Sequence, residues 1–312
     1  MCTIGNSFYR INGVNVQSVF KQCDLVNPTR FLTPVVKTAV NKTEGSDTPE
    51  TIRYVAFTRI RGDQCPAWAG INEYGVSFVA ADSYLDKSKV TPNENAALDS
   101  DTVFDMYLRI ITSYKTAKEA VMMAKKYYET VEYADLLTDI LLIADEKEMF
   151  FIETVNKKVR IIQRDMGHFV STNHCRMFYE AVPYEQNHST YLRLDRAEKI
   201  LQSRADINGI GRLLRDSYYG KTVWSICRYA NLTGLDGGNE KQESTEEEMF
   251  YTQAAVIFTV KPCSGSEGKP EVICEYVIND NASVENAGYT WRPFENKAPR
   301  KVDYIGKSEH II

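Results

Sequence analysis

Segments with a strand pattern are grouped in this sequence, and segments with a helical pattern form separate groups. The first 85 residues read mainly as strands, and residues 139–163 read as three further strands joined by polar turns. Helical spacing of apolar residues is found between and after these groups, at 101–113, 116–128, 189–203 and 208–218. Because strands and helices do not alternate one by one, the order predicts an α+β fold. We expect antiparallel sheets with separate helical layers rather than a doubly wound parallel sheet.

Local signals predict where several elements begin. The pair Asn12-Gly13 between two apolar runs predicts a β-hairpin. Thr116 and Glu119 have the spacing of a capping box at the start of a helix. Ser189 is the expected N-cap of the helix that follows it.

The chain is expected to form a single domain over residues 1–312. Its length fits one large domain or two smaller ones, but no repeat or linker composition divides it. A glycine-framed tight turn is expected at 70–75, and a solvated loop at 231–248, which is rich in Gly and Glu. Residues 279–312 are polar and are expected to form a C-terminal extension along the surface.

Charge and hydropathy exclude several classes of protein. Lys and Arg number 37 against 42 Asp and Glu, a net charge of −5, so the excess of cations that a nucleic-acid binder needs is lacking. No apolar run approaches the roughly 18 residues of a membrane span. The start of the chain does not resemble a secretory leader. We therefore expect a cytoplasmic protein that binds neither nucleic acid nor a membrane.

Cysteine and histidine patterns argue against a metal site or a cofactor. The seven cysteines include no CxxC pair, and only four histidines are present. Nucleotide-binding glycine motifs, HExxH and GxSxG are absent. A Cys–His hydrolase built on His174 and Cys175 stays open as an alternative, although neighbours on a strand would point to opposite faces. We expect no metal and no cofactor.

Cys2 is the strongest candidate for catalysis. A small second residue permits removal of Met1, which would leave Cys2 with a thiol and a free α-amine. An α-amine titrates near 7.7–8.0 and can act as a base at neutral pH. One residue would then supply both nucleophile and base, which suits a chain with few histidines.

Polar side chains at the ends of predicted elements could complete such a site. Asp24 follows a strand, Asn72 lies in the glycine-framed turn and Asn173 follows another strand. Asp24 could hold the ammonium group, and an Asn amide is a suitable oxyanion donor. The alternative is that these residues only form turns, as Asp and Asn often do.

Five segments in order resemble the N-terminal nucleophile (Ntn) cysteine hydrolases. The relevant branch contains the choloylglycine (bile salt) hydrolases, the penicillin V acylases and the acyl-CoA:6-aminopenicillanic acid acyltransferases. The matching segments are residues 1–4 (MCTI), 20–25 (FKQCDL), 70–76 (GINEYGV), 167–174 (GHFVSTNH) and 189–196 (STYLRLDR). The resemblance covers roughly residues 1–260 and implies a four-layer αββα sandwich of two antiparallel sheets between helical layers.

The resemblance also implies catalytic roles. Cys2 would be the nucleophile and its α-amine the base, while Asp24 would orient that amine. Asn173 would be the oxyanion donor, and Asn72 would share that role or form a pocket wall. Arg193 would be a buried supporting cation, although an ordinary charge on the helix face is the alternative.

Lys21 stands where the family has Arg, and Gln22-Cys23 stands where it has Asn ahead of the Asp. Lys cannot form the planar fork of Arg, so its cation would act by another geometry. The chain contains no Gly-Cys dipeptide at which an internal nucleophile could be freed by cleavage.

The expected reaction is hydrolysis of a linear, non-peptide N-acyl amide through a thioester on Cys2. An N-acyltransferase using the same acyl-enzyme is an alternative, and a non-catalytic binding protein with this fold is another. The expected partner is a small-molecule amide. Homo-oligomers are common in the resembled family, and the oligomeric state of this chain stays open.

Overall fold

The structure is a computed structural model. It describes residues 2–25, 29–41, 49–81, 83, 100–131, 138–179, 188–220, 222, 224–228, 251–263, 268–278 and 288–311. The loop predicted at 231–248 lies outside the described residues.

The described residues contain fourteen strands and four α-helices. The strands in chain order are β1 (Cys2–Ile11), β2 (Val14–Leu25), β3 (Val36–Asn41), β4 (Glu50–Thr58), β5 (Ala67–Asn72), β6 (Ser77–Ala81), β7 (Thr138–Ala144), β8 (Met149–Val155), β9 (Lys158–Arg164), β10 (His168–Ser171), β11 (Tyr251–Lys261), β12 (Glu271–Ile278), β13 (Gly288–Trp291) and β14 (Arg300–Val302). The helices are α1 (Ser100–Ser113), α2 (Ala117–Thr130), α3 (Ser189–Ser203) and α4 (Ile207–Leu214).

The strands form two sheets of seven strands each. The first sheet has the order β10-β1-β2-β11-β12-β13-β14, and the second has the order β3-β4-β5-β6-β7-β8-β9. Every pairing between neighbouring strands is antiparallel. The prediction of antiparallel sheets is confirmed.

The two sheets pack face to face between two helical layers. A buried apolar cluster between the sheets combines Val19 and Phe258 of the first sheet with Val55 and Phe151 of the second. Helices α1 and α2 cover the outer face of the second sheet, and α3 and α4 cover that of the first. The molecule is therefore the αββα sandwich that the resemblance implies.

Local chemistry explains the predicted element boundaries that the structure confirms. Asn12 and Gly13 have φ angles of 50° and 82°, as the favoured two-residue hairpin turn requires. Thr116 caps α2, because its hydroxyl accepts a hydrogen bond from the backbone nitrogen of Glu119 at 3.2 Å. These signals act between near neighbours, so the sequence alone reveals them.

The N-cap predicted for α3 is wrong by one residue. The cap is His188, whose side chain accepts from the backbone nitrogen of Thr190. Ser189 is already helical, and its hydroxyl accepts a hydrogen bond from Nη2 of the buried Arg228 at 2.8 Å. A tertiary contact has therefore taken the hydroxyl that the local pattern assigned to capping.

The turn predicted at 70–75 begins later than expected. Strand β5 continues to Asn72, and only Gly75 has a positive φ, of 80°. A Cβ at Gly70 would lie 2.6 Å from Cδ1 of Ile111. Gly70 thus allows α1 to approach the sheet closely, and it does not shape the turn.

The C-terminal part of the chain adds β13 and β14 to the edge of the first sheet, strands that the polar sequence did not predict. Residues 279–287 of the predicted surface extension are not among those described, and the single domain over 1–312 stays a prediction. None of the described helices is both long and apolar enough to cross a membrane.

Candidate active site

Cys2 is the first residue of β1 and lies in the first sheet, beside β2. Its side chain is 3% exposed and belongs to the apolar cluster between the sheets. Its α-nitrogen donates a hydrogen bond to Oδ1 of Asn173 at 2.8 Å. The structure thus brings together a thiol, the nitrogen that removal of Met1 would convert into an α-amine, and a side-chain amide.

Asn173 follows β10, and two donors fix the orientation of its side chain. Its Oδ1 accepts from the backbone nitrogen of Cys2 and, at 2.9 Å, from Nη2 of Arg193. Its own backbone nitrogen donates to Oγ1 of Thr190 at 3.1 Å. Because a peptide N–H and a guanidinium can only donate, the amide oxygen faces them and the amide NH₂ group points away from them.

Arg193 reaches the site from α3 and is completely buried. Its Nη1 donates to the backbone oxygen of Cys2 at 2.8 Å and to Oγ1 of Thr3 at 3.1 Å. Its Nη2 donates to Asn173. One rigid guanidinium therefore positions both the backbone of Cys2 and the amide beside it.

Asp24 is buried on β2, immediately after Cys23, the residue that pairs with Cys2. Since the two strands are antiparallel, Asp24 lies beside the amino end of β1. Its Oδ1 accepts from Oγ1 of Thr252 at 2.8 Å. Nε of Arg228 lies 3.5 Å from its Oδ2, and both side chains are fully buried.

Lys21 spans the space between the two sheets. Its Nζ donates to the backbone oxygens of Trp68, at 3.3 Å, and Ala80, and it lies 5.4 Å from the centre of the Trp68 ring. Residues two apart on a strand share a face, so Lys21 and Cys23 both point inward. Lys21 therefore places a positive charge in the layer that contains the Cys2 thiol.

The structure does not place Asn72 beside the other candidate catalytic residues. Its Nδ2 donates to the backbone oxygens of Ile111 and Tyr114, at 3.1 and 2.8 Å. Its Oδ1 accepts from the backbone nitrogens of Tyr74 and Val76. Asn72 therefore points to the outer, helix-covered face of the second sheet, where it connects the β5–β6 turn to the end of α1.

The alternative pair His174 and Cys175 is directed to two different surroundings. Burial and nearby arginine charges lower the pKa of His174 to about 4. Its Nδ1 lies 2.9 Å from Oγ1 of Thr190. Cys175 packs in a separate small cluster with Val155 and Phe178. Nδ1 of His174 is thus directed to a threonine, and Cys175 packs against apolar side chains.

The family model described as "Acyl-coenzyme A:6-aminopenicillanic acid acyl-transferase" matches residues 57–233, more than half of the chain. The chain belongs to this family. No curated protein sequence matches it.

Two solved structures share the fold of this member of the acyltransferase family, and both are of the conjugated bile acid hydrolase of Clostridium perfringens. The C2A mutant superposes with a TM-score of 0.53 at 9% identity, covering 97% of this chain and 98% of that one. An arginine-to-leucine variant gives 0.52 at 12% identity, with the same coverage. At these identities the likeness concerns the fold, which is that of the Ntn hydrolases. Family and fold together indicate an enzyme, either an amidohydrolase or an acyltransferase.

Two residues of this acyltransferase-family site were not assigned a role from the sequence. Arg228 gives no signal in the sequence, because it reaches Asp24 only through the folding of the chain. Cys23 was apparent only as a departure from the family pattern.

Within the described part of the chain, no group of three or more His, Cys, Asp or Glu side chains is arranged to hold a metal ion.

Proposed function

We propose that this protein is an Ntn cysteine amidohydrolase that cleaves a linear N-acyl amide through a thioester on Cys2. The observation that carries the proposal is the contact between the α-nitrogen of Cys2 and Oδ1 of Asn173, which Arg193 also holds. Removal of Met1 would convert this nitrogen into an amine without changing its neighbours. An amine so oriented can act as the base for the thiol of its own residue.

The proposed reaction has two stages. The α-amine takes the thiol proton, the thiolate of Cys2 attacks the amide carbonyl, and the Asn173 NH₂ group donates to the oxyanion. The C–N bond then breaks, and the α-ammonium group gives its proton to the leaving amine. Water, deprotonated by the same α-amine, attacks the thioester and the C–S bond breaks. The carboxylic acid leaves, and the α-ammonium group returns its proton to the Cys2 sulfur.

The surroundings favour an apolar acyl group. The cluster between the sheets that contains Cys2 also contains Phe31, Phe57 and Trp68, whose rings meet edge to face. Suitable probes are acyl p-nitroanilides of increasing chain length, a conjugated bile acid and a penicillin.

The family match favours N-acyltransfer as a second function, in which an added amine replaces water. It would be detected as a new amide product that grows with amine concentration.

The test of the proposal is an intact-mass measurement followed by labelling with substoichiometric iodoacetamide at pH 7. Exposure alone favours Cys65 and Cys263, the exposed thiols, over the buried Cys2. We expect loss of Met1 and preferential labelling of Cys2, because an adjacent ammonium group favours the thiolate. Labelling of Cys65 and Cys263 first, in protein that retains Met1, would refute the mechanism and support a non-catalytic binding protein.

The pH dependence identifies the base. We expect kcat/KM to rise with pH through about 7–8, as the α-amine loses its proton. His174 has a pKa of about 4 and is neutral throughout this range. The His174→Gln variant should therefore keep the same inflection. An inflection that disappears in this variant would identify histidine, and not the α-amine, as the base.

A further inference from the structure

Cys2 and Cys23 are direct cross-strand neighbours. The antiparallel register of β1 and β2 places them opposite each other. Side chains of opposite residues lie on the same face of a sheet. Both thiols are buried, at 3% and 1% exposure, and both belong to the cluster between the sheets.

The backbone contacts of Cys2 show whether Cys2 and Cys23 form a hydrogen-bonded or a non-hydrogen-bonded pair of the antiparallel sheet. The nitrogen of Cys2 donates to Asn173, and its oxygen accepts from Arg193. Both groups are thus directed to partners outside β2, and in an antiparallel strand the nitrogen and oxygen of one residue point to the same side. Cys2 and Cys23 therefore form a non-hydrogen-bonded pair, in which Cα atoms are about 4.5 Å apart and side chains are closest. This separation lies within the range of about 4.4–6.8 Å found across disulfides.

The Cys23 thiol is less acidic than a free cysteine. A hydrogen bond to Cys2, burial and the proximity of the Cys2 sulfur raise the pKa of Cys23 well above its usual value. Cys23 therefore keeps its proton and can donate it to the sulfur of Cys2. Lys21 opposes this rise by its charge. The arrangement has the features of a reactive thiol beside a second thiol able to resolve its oxidised form.

We propose that Cys2 and Cys23 are a redox modification site, in which a hydroperoxide converts the pair into a reversible cross-strand disulfide. In the first step, the Cys2 thiolate attacks a peroxide oxygen, the O–O bond breaks, and Cys2 becomes a sulfenic acid. The hydroxide that leaves takes up the proton that the Cys2 thiol lost and becomes water. In the second step, the Cys23 sulfur attacks the Cys2 sulfur, the S–O bond breaks, and water leaves with the Cys23 proton. The two thiols lose two electrons in total, and a hydrogen peroxide molecule is reduced to two molecules of water.

The disulfide would inactivate the Cys2 nucleophile reversibly, and it would also protect Cys2 from irreversible oxidation. A sulfenic acid without a neighbouring thiol is oxidised further to the irreversible sulfinic acid, whereas a dithiol reductant restores both thiols from the disulfide. The loss of activity rests on the function proposed above. Formation of the Cys2–Cys23 disulfide does not rest on that function, because it requires only the two sulfurs and the oxidant.

The test uses the full chain with Cys65→Ser and Cys263→Ser as the parent, so that the exposed thiols cannot link two molecules. Hydrogen peroxide is added, and intact mass and peptide maps are recorded before and after dithiothreitol. We expect the parent to lose two hydrogens, with the Cys2 and Cys23 peptides linked, and to recover completely on reduction. The Cys23→Ala variant should instead gain two oxygens on Cys2 and should not recover.

Cys274→Ala is the matched control. Cys274 is another buried thiol of the first sheet, but its cross-strand partners are Phe258 and Trp291. This variant should form the Cys2–Cys23 link as the parent does. A parent that gains oxygens without forming the link, or a Cys23→Ala variant that recovers fully on reduction, would overturn the proposal. Because the readout is mass, a protein that forms the link but cleaves no amide would refute only the proposed function.

Discussion

Replacement of Cys2 by alanine is expected to reduce kcat/KM for any amide that the protein cleaves by about ten-thousandfold or more. The variant lacks the sulfur that would form the thioester, and water alone is a poor replacement for a positioned nucleophile. The side chain is small and the change removes one atom, so the fold should persist. The measurement is amide cleavage under single-turnover conditions, with the thermal midpoint of unfolding as a check on folding.

The matched control for this prediction is Cys175→Ala. Cys175 is equally buried, in its own cluster with Val155 and Phe178. This variant should keep the activity of the parent while it loses about as much stability as Cys2→Ala. The reverse pattern, with Cys175→Ala inactive and Cys2→Ala active, would establish the Cys–His hydrolase alternative.

Replacement of Arg228 by methionine is expected to lower the free energy of unfolding by about 3–5 kcal/mol. Arg228 and Asp24 are both fully buried, and the guanidinium lies 3.5 Å from the carboxylate. Removing the arginine leaves the buried Asp24 carboxyl without this guanidinium. The hydroxyl of Ser189 also loses the donor at 2.8 Å. Urea unfolding followed by fluorescence measures the change.

Two further variants make this second prediction specific. Lys199→Met removes an exposed ion pair with Asp195 on α3, and such pairs contribute about 0–1 kcal/mol. Adding Asp24→Asn to Arg228→Met should recover part of the loss, because no uncompensated carboxylate is left. If the Arg228→Met protein is as stable as the Lys199→Met protein, the buried pair of Arg228 and Asp24 does not stabilise the fold.

Elements defined by contacts between near neighbours could be predicted from the sequence. The hairpin at Asn12-Gly13 and the start of α2 at Thr116 depend on backbone conformations and hydrogen bonds within a few residues. The strand pattern of the first 85 residues does not single out β3, which is a sheet edge: its side chains are half-buried or exposed and do not alternate clearly. The end of β5 was predicted as part of a turn, because Gly70 reads as a turn residue. The role of Gly70 is close packing against Ile111, which depends on tertiary structure.

The candidate site divides in the same way. Cys2 followed from the chemistry of one residue at one position, and Asn173 from its place after a predicted strand. The role of Arg193 followed only from the family resemblance. The role of Arg228 could not be predicted, because a buried ion pair has no local pattern. Asn72 lies in a matching segment, but the structure uses both of its amide hydrogens elsewhere.

The contacts around Cys2 determine when the site can exist during synthesis of the chain. The acceptor for its nitrogen lies 171 residues downstream, and the donor to its oxygen lies 191 residues downstream. At about 5–20 residues per second, roughly 10–40 seconds separate the appearance of Cys2 from that of Arg193. During that interval Cys2 lacks both of these contacts, whether or not Met1 has been removed. The reactive geometry therefore arises late, when α3 docks on the first sheet, and a truncated chain that ends before α3 would carry the cysteine without its chemistry.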